Sequence, residues 1–247
     1  MARQSATFLR EFFFPFGCSV CGISLADESE IWYGLCEKCR AELERELSGH
    51  IAGIACDYCG KPLISEQGRC LSCRQSENRA FDKVIVLFPY VGKYRKLLSS
   101  YKFGKNLVLG NFFIEKIYDR LCFDSIQPVD DAQAVIVPVP PRPGKIRKNG
   151  WDQVEYLTKL LERMPKCENS ILVNRCLKRL PSKSQKELGR DNRQINLKGR
   201  IVTIRKPPQT AILLDDVMTT GATLDACSAA LKDAGTKIVY GLCLFYD

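Results

Sequence analysis

Four Cys-x-x-Cys pairs in the first 73 residues set the tightest limit on what this 247-residue chain can fold into. They are Cys18 with Cys21, Cys36 with Cys39, Cys56 with Cys59, and Cys70 with Cys73. A two-residue spacing lets one tight turn aim both sulfurs at a single metal ion, and two such turns complete a tetrahedral thiolate site. Cys21 and Cys59 are each followed by glycine, whereas Cys39 and Cys73 are not. The pairs therefore repeat as a glycine-bearing knuckle followed by a plain one. That favours sequential grouping, with one zinc on Cys18, Cys21, Cys36 and Cys39 and a second on Cys56, Cys59, Cys70 and Cys73. Interleaved grouping stays open at this level. Four thiolates leave no position for a substrate, so both metals are expected to be structural. A disulfide framework would suit an exported chain instead.

Export is not what the N-terminus suggests. Its apolar run, Phe12, Phe13, Phe14, Pro15 and Phe16, is too short to span a bilayer and lacks the form of a signal peptide. The expectation is a cytoplasmic protein with no membrane insertion, its N-terminal aromatics packing a short helix onto the cysteine module. Cys122, Cys167, Cys176, Cys227 and Cys243 lack metal spacing and read as small core or surface residues. His50 is the single histidine, which leaves no spare parts for a Ser–His–Asp or Cys–His nucleophile.

Beyond the cysteines the pattern changes to α/β. Residues 83–91 form an apolar, β-rich run. Tyr94, Leu97, Leu98 and Tyr101 then recur at i, i+3, i+4, i+7, and a second helical run covers 106–121. Buried strands are predicted over 134–139, 211–214 and 237–246, with helices over 151–164 and 222–233, the latter closed by Gly235. Short continuous apolar strands alternating with helices indicate a parallel sheet covered on both faces. The division expected is a double zinc-binding domain over residues 1–80 and an α/β domain over 81–247. Residues 181–200 are polar, basic and aperiodic, which reads as a long functional loop.

The formal net charge of +9 is concentrated. Residues 142–206 hold 18 Lys and Arg against 6 Asp and Glu, more than the whole surplus. Such a stretch attracts polyanions, either a phosphorylated substrate or a nucleic-acid backbone. Residues 1–80 are slightly acidic, which argues against the zinc module as the nucleic-acid contact.

The most informative segment is the run Ala211, Ile212, Leu213, Leu214, Asp215, Asp216, Val217, Met218, Thr219, Thr220, Gly221, Ala222, Thr223. An apolar strand delivers two carboxylates to its C-terminal end, where open α/β sheets bind ligands. A hydroxyl-rich turn with a glycine then opens a helix, and the free N–H groups there form a phosphate cradle. The combination suits a sugar phosphate, with carboxylates on the hydroxyls and the turn on the phosphate.

These residues carry a family resemblance. Asp215 and Asp216 followed by Thr219, Thr220, Gly221, Ala222 and Thr223 look like the 5-phosphoribosyl-1-pyrophosphate (PRPP) motif of type I phosphoribosyltransferases. With the cysteine pairs ahead, the whole chain resembles the ComF family of competence-associated, phosphoribosyltransferase-like proteins. The likeness extends to Val137, Pro138, Val139 and Pro140 before a pyrophosphate loop at 141–145, to Lys102 and Phe103, and to Gln185, Arg190, Arg193 and Asn196. The family commonly shows Arg-Gly-Phe-Asn-Gln where this chain has Asn149, Gly150, Trp151, Asp152 and Gln153, so an arginine is missing and a carboxylate added. Arg147 and Lys148 lie beside the gap as a substitute charge.

The resemblance implies a type I phosphoribosyltransferase fold behind a double zinc ribbon. It also implies displacement of pyrophosphate from Mg²⁺-bound PRPP, with catalysis by charge placement and water exclusion. Asp215 and Asp216 would hold the ribose hydroxyls directly or through magnesium, and Thr219 to Thr223 the 5′-phosphate. Arg142 and Lys145 would neutralise pyrophosphate, while the loop with Gln185, Arg190 and Arg193 closes over the site. Purine-salvage relatives carry an aspartate base where this chain has Thr219, so the phosphoribosyl acceptor is left open. Two classes of function follow: a transferase, or a non-catalytic PRPP sensor or single-stranded-DNA-binding component of DNA uptake working with competence-machinery proteins.

Overall fold

Apolar runs too short to bury themselves must pair, and in the computed structural model they do so mostly as a parallel sheet. The structure describes residues 17–51, 55–63, 65–75, 79–123, 133–164, 171–181 and 199–247. The chain forms two compact units that do not follow its linear order. One comprises residues 1–52 and 90–115, the other 53–89 and 116–247.

In the first unit, α1 (Glu28–Tyr33) starts where Asp27 accepts the Ser29 N–H and stops at Gly34, whose φ of 65° needs no Cβ. Helix α2 (Glu37–Ile51) begins at the second cysteine pair and sends Leu43 and Leu47 inward. Helix α4 (Gly92–Lys102) buries Tyr94, Leu97, Leu98 and Tyr101, the stripe that its sequence spacing predicts. The Tyr94 hydroxyl, buried with that stripe, donates to the Leu43 carbonyl at 2.7 Å. Lys93 pairs with Glu42, and Asn106 Nδ2 donates to Ser19 Oγ beside the first cysteine pair.

The second unit holds a five-stranded sheet in the order β1-β7-β6-β2-β3, every pair parallel. Its strands are β1 (Lys83–Pro89), β2 (Val135–Pro138), β3 (Leu172–Val173), β6 (Thr210–Met218) and β7 (Ile238–Tyr246). A separate antiparallel pair, β4 (Leu177–Arg179) with β5 (Ile201–Thr203), brackets residues 182–198. Helix α5 (Leu109–Phe123) leads out of the first unit, and α3 (Leu71–Gln75) follows the last cysteine pair. A short α6 (Lys145–Asn149) precedes α7 (Gln153–Leu161), which packs on β2 and β6, and α8 (Ala222–Asp233) packs on β5, β6 and β7. A parallel sheet flanked by helices is thus present, as the alternation of apolar runs implies.

Parallel neighbours require crossovers, and the crossovers position the site. From β2 the chain passes through α6 and α7 to β3 on one side, while from β6 it passes through α8 to β7 on the other. The direction reverses between β2 and β6. Such a reversal opens a crevice beyond the C-terminal ends of the two strands.

Two sequence expectations shift in position. The predicted strand over 211–214 continues to Met218, because the ladder with β7 runs on through Asp215 opposite Cys243 to Met218 opposite Tyr246. The predicted helix over 151–164 starts at Gln153, because Asp152 caps it by accepting the N–H groups of Val154 and Glu155. Among the described residues no helix is long and apolar enough to cross a membrane. The N-terminal aromatic run, the Cys167 position and the loop residues Gln185, Arg190, Arg193 and Asn196 lie outside the described residues.

Candidate functional site

The cysteines group sequentially, Cys18, Cys21, Cys36 and Cys39 in one cluster and Cys56, Cys59, Cys70 and Cys73 in the other. Within each, all four sulfurs lie within 4.8 Å of one another. The separations Cys21 Sγ to Cys36 Sγ and Cys59 Sγ to Cys70 Sγ are both 3.7 Å. That is far beyond a disulfide bond of about 2.05 Å, and it matches the edge of about 3.8 Å of a tetrahedron with Zn–S near 2.3 Å. The donor sets therefore fit two structural zinc sites. Backbone N–H groups lower one thiol in each cluster, while burial raises Cys36, Cys39, Cys59 and Cys73. Burial also raises Cys18, but the amides of Cys21, Cys36 and Val20 outweigh it and bring the group down to about 7. Cys56 is brought to about 7 in the same way by the amides of Cys59, Cys70 and Tyr58.

At the crevice, Val139 donates its N–H to the Leu214 carbonyl at 3.0 Å, which brings residues 139–145 beside the end of β6. Asp215 and Asp216 are both half-buried there. Successive strand residues face opposite ways, so the two carboxylates are presented to different sides. Asp215 Oδ1 accepts the Asp216 N–H at 2.9 Å. Cys243 stands opposite Asp215 in the β6–β7 ladder, and its fully buried thiol and that of Cys227 are each pushed up by burial and then by the Asp215 charge.

Thr219 and Thr220 follow as an exposed turn, and buried Gly221, with a φ of 75° and no side-chain cap, leads into α8, which Ala222 and Thr223 open. The Ala222 N–H reaches Thr220 Oγ1 at a long 3.4 Å. Among the described hydrogen bonds, none takes up the amides of Thr220, Gly221 or Thr223. The Gly221 carbonyl accepts the Asp225 N–H at 2.9 Å.

Across the crevice, Pro141, Arg142, Pro143, Gly144, Ile146 and Arg147 line a cleft of about 410 Å³. Arg142 is exposed. Lys145 is not: its Nζ lies 2.5 Å from Asp152 Oδ2 and also donates to Gln153 Oε1. Asp152, 4% exposed, is thus both helix cap and counter-ion, which accounts for the added carboxylate of this corner.

Two arginines carry no local motif and escape sequence reasoning. Arg179, half-buried at the end of β4, is lowered first by burial and then by Arg142, with Asp215 acting the other way. Its electrostatic neighbours thus include Arg142 and Asp215, two groups expected to handle anion and sugar. Arg79 enters from the segment after the second cysteine cluster. Its Nη1 donates to the Thr220 carbonyl at 2.5 Å, and the neighbouring Ala80 N–H donates to Asp225 Oδ1 at 2.7 Å. The sequence signal for Arg179 is its place in the basic stretch; for Arg79 there is none. Lys102 and Phe103 belong to the first unit, Phe103 being strongly exposed.

No protein-family model matches the chain. Competence protein F of Haemophilus influenzae is 26% identical over 235 residues, covering 91% of this chain and 94% of that protein. Competence protein ComFC of Bacillus subtilis is 26% identical over 209 residues, covering 81% and 79%. ComFC of Streptococcus pneumoniae is 27% identical over 216 residues, covering 83% and 84%. The chain is a low-identity homologue of ComF and ComFC. The share aligned with competence protein F approaches the full length of each protein.

Proposed function

We propose that the chain is a PRPP-binding protein of the type I phosphoribosyltransferase class, acting in DNA uptake as the names of its ComF and ComFC relatives suggest. The observation that carries this reading is topological. The two carboxylates and the hydroxyl-rich turn leave β6, and the Arg142 loop leaves β2, on either side of the point where the crossover direction reverses.

In this reading the turn at 219–223 binds the 5′-phosphate through outward amides and hydroxyls. Asp215 and Asp216 hold the ribose hydroxyls, with Mg²⁺ entering alongside the substrate. Arg142 and Arg179 face the pyrophosphate as it departs with the electrons of the anomeric C–O bond, and the acceptor forms the new bond to that carbon. Stabilising charge developing on the leaving group is where such a site gains most. Lys145 joins only if its pair with Asp152 opens. Gln185, Arg190 and Arg193 complete the site as a cover.

A titration calorimetry series tests this. Wild type is expected to bind PRPP with Mg²⁺ at one site per chain, and Asp216→Ala to weaken binding at least about tenfold, the loss of one charge-assisted contact. Absence of PRPP binding by a folded, zinc-loaded protein removes the reading. The neutralised Lys145 favours a second one, a PRPP sensor without turnover. Binding without pyrophosphate release across an acceptor mixture that includes single-stranded DNA selects the sensor.

A further inference from the structure

We infer that Arg79, carried by the second zinc module, is a positioning residue of the phosphate-binding turn, so that the second metal site sets sugar-phosphate affinity. The inference rests on the reading of residues 219–223 given above and adds to it a residue and a dependence.

A carbonyl aimed into a phosphate cradle repels the anion, so the orientation of each peptide plane in the turn matters. In a trans peptide the C=O and the following N–H point in opposite directions. Arg79 Nη1 holds the Thr220 carbonyl at 2.5 Å, which fixes the Gly221 N–H on the far side of that plane from the guanidinium. Among the described hydrogen bonds no other donor reaches the Thr220 carbonyl, and Gly221 at φ 75° tolerates either orientation, so the plane is cheap to flip without this hold. The guanidinium also lies so close to Gly221 that a Cβ there would collide with Arg79 Nη1 and Met218 Cε.

The hold on Arg79 comes from the metal site. Tyr58 sits between the ligands Cys56 and Cys59, and its hydroxyl lies 3.1 Å from both the Arg79 and the Phe81 carbonyl oxygens, sharing its proton between them. The Tyr58 ring packs on buried Phe81 with centroids 5.1 Å apart, and the Arg79 guanidinium lies 5.6 Å from the centre of the Phe81 ring. The Tyr58 carbonyl accepts the Val84 N–H at 2.8 Å, tying the knuckle to β1, and Ala80 is tied to α8 through Asp225. A thiolate turn, a tyrosine, an arginine and a peptide plane form one unbroken series of contacts.

Ribose 5-phosphate, which carries the phosphate but no pyrophosphate, is the probe. Its affinity is measured by calorimetry for wild type, Arg79→Ala, Arg79→Lys and Tyr58→Phe, each checked for zinc content and melting temperature. Arg79→Ala is expected to bind at least about tenfold more weakly with both zinc ions retained, the loss of a charge-assisted hydrogen bond. Arg79→Lys restores most of the affinity, since an ammonium still reaches the carbonyl, and Tyr58→Phe loses a smaller factor. Unchanged affinity in Arg79→Ala overturns the inference while leaving the PRPP reading intact. Should Arg79→Ala lose zinc or fail to fold, Tyr58→Phe decides: wild-type affinity in that folded variant overturns the inference equally. If wild type binds neither ribose 5-phosphate nor PRPP, the PRPP reading falls and takes this with it.

Discussion

The two cysteine clusters are written in nearly the same sequence code, yet they are built into the molecule differently. The first leaves Cys21 exposed and is framed by α1, α2 and polar tethers such as Asn106 to Ser19. In the second all four cysteines are buried, and they belong to the same apolar cluster as Phe81, Val84, Val137, Leu213, Met218 and Leu224. One metal site staples a small helical unit. The other is part of the sheet's core, one residue series away from the turn proposed to hold phosphate. Equal motifs thus do not imply equal consequences; what packs on the ligands decides.

The largest contrast is expected from the ligands themselves. Cys70→Ser removes a fully buried thiolate from the sheet core. It is expected to destabilise the unit by at least about 3 kcal/mol, or roughly 6 to 12 °C in melting temperature, with lost amide protection in β6 and β7. Cys21→Ser is expected to cost one zinc and protection in α1 and α2, leaving β6 and β7 protected. Hydrogen exchange resolved by peptide checks both. Equal loss of β6 protection in the two variants would break the distinction.

The knuckle glycines sharpen it. Gly22 and Gly60 occupy equivalent places and share positive φ, 78° and 70°. A Cβ at Gly22 meets nothing within 4 Å, whereas at Gly60 it would lie 2.8 Å from the Val84 carbonyl oxygen and 3.0 Å from Val86 Cγ2. Gly22→Ala should therefore cost about 1 kcal/mol of backbone strain alone. Gly60→Ala adds displacement of β1 and should cost about 2 to 4 kcal/mol in urea unfolding. Equal costs would mean that the second knuckle is not pressed onto the strand.

Thiols that ligate no metal give the smallest effect and a defined sign. Burial, then Asp215, pushes Cys227 and Cys243 above the ordinary thiol value of 9.0; Asp216 adds to this at Cys243, and Arg179 opposes it at Cys227. Below pH 9 both folded and unfolded states hold these protons, so neither gains. Above it the unfolded chain releases them while the folded one does not, and stability falls as pH rises. Each group contributes a slope of at most about 1.4 kcal/mol per pH unit. Urea unfolding at pH 8 and pH 10 should show the decline, and Cys227→Ala should make it shallower. A stability that rises over this interval would contradict the burial of these thiols.

Much of this is legible in the sequence alone. The α4 stripe of Tyr94, Leu97, Leu98 and Tyr101, the helix at Ala222–Asp233 and the sequential cysteine grouping follow from periodicity and spacing, which are local properties. What escaped is non-local or short. Strands β3 and β4 have two and three residues, too few to show a period. The Lys145–Asp152 pair spans the five-residue helix α6 and the turn after it, too short to show a period, and the contact between Arg79 and Thr220 joins residues 141 apart in the chain. Asp152 itself was visible only as a departure from a family pattern; its capping role emerged with the helix that it starts.

The most direct test of the central proposal is a crystal structure with PRPP and Mg²⁺ bound. The account expects the 5′-phosphate on the amides of residues 219–223, the ribose hydroxyls toward Asp215 and Asp216, and the pyrophosphate beside Arg142. A sugar phosphate seated elsewhere, or a crevice between β2 and β6 left empty at saturating ligand, would contradict it.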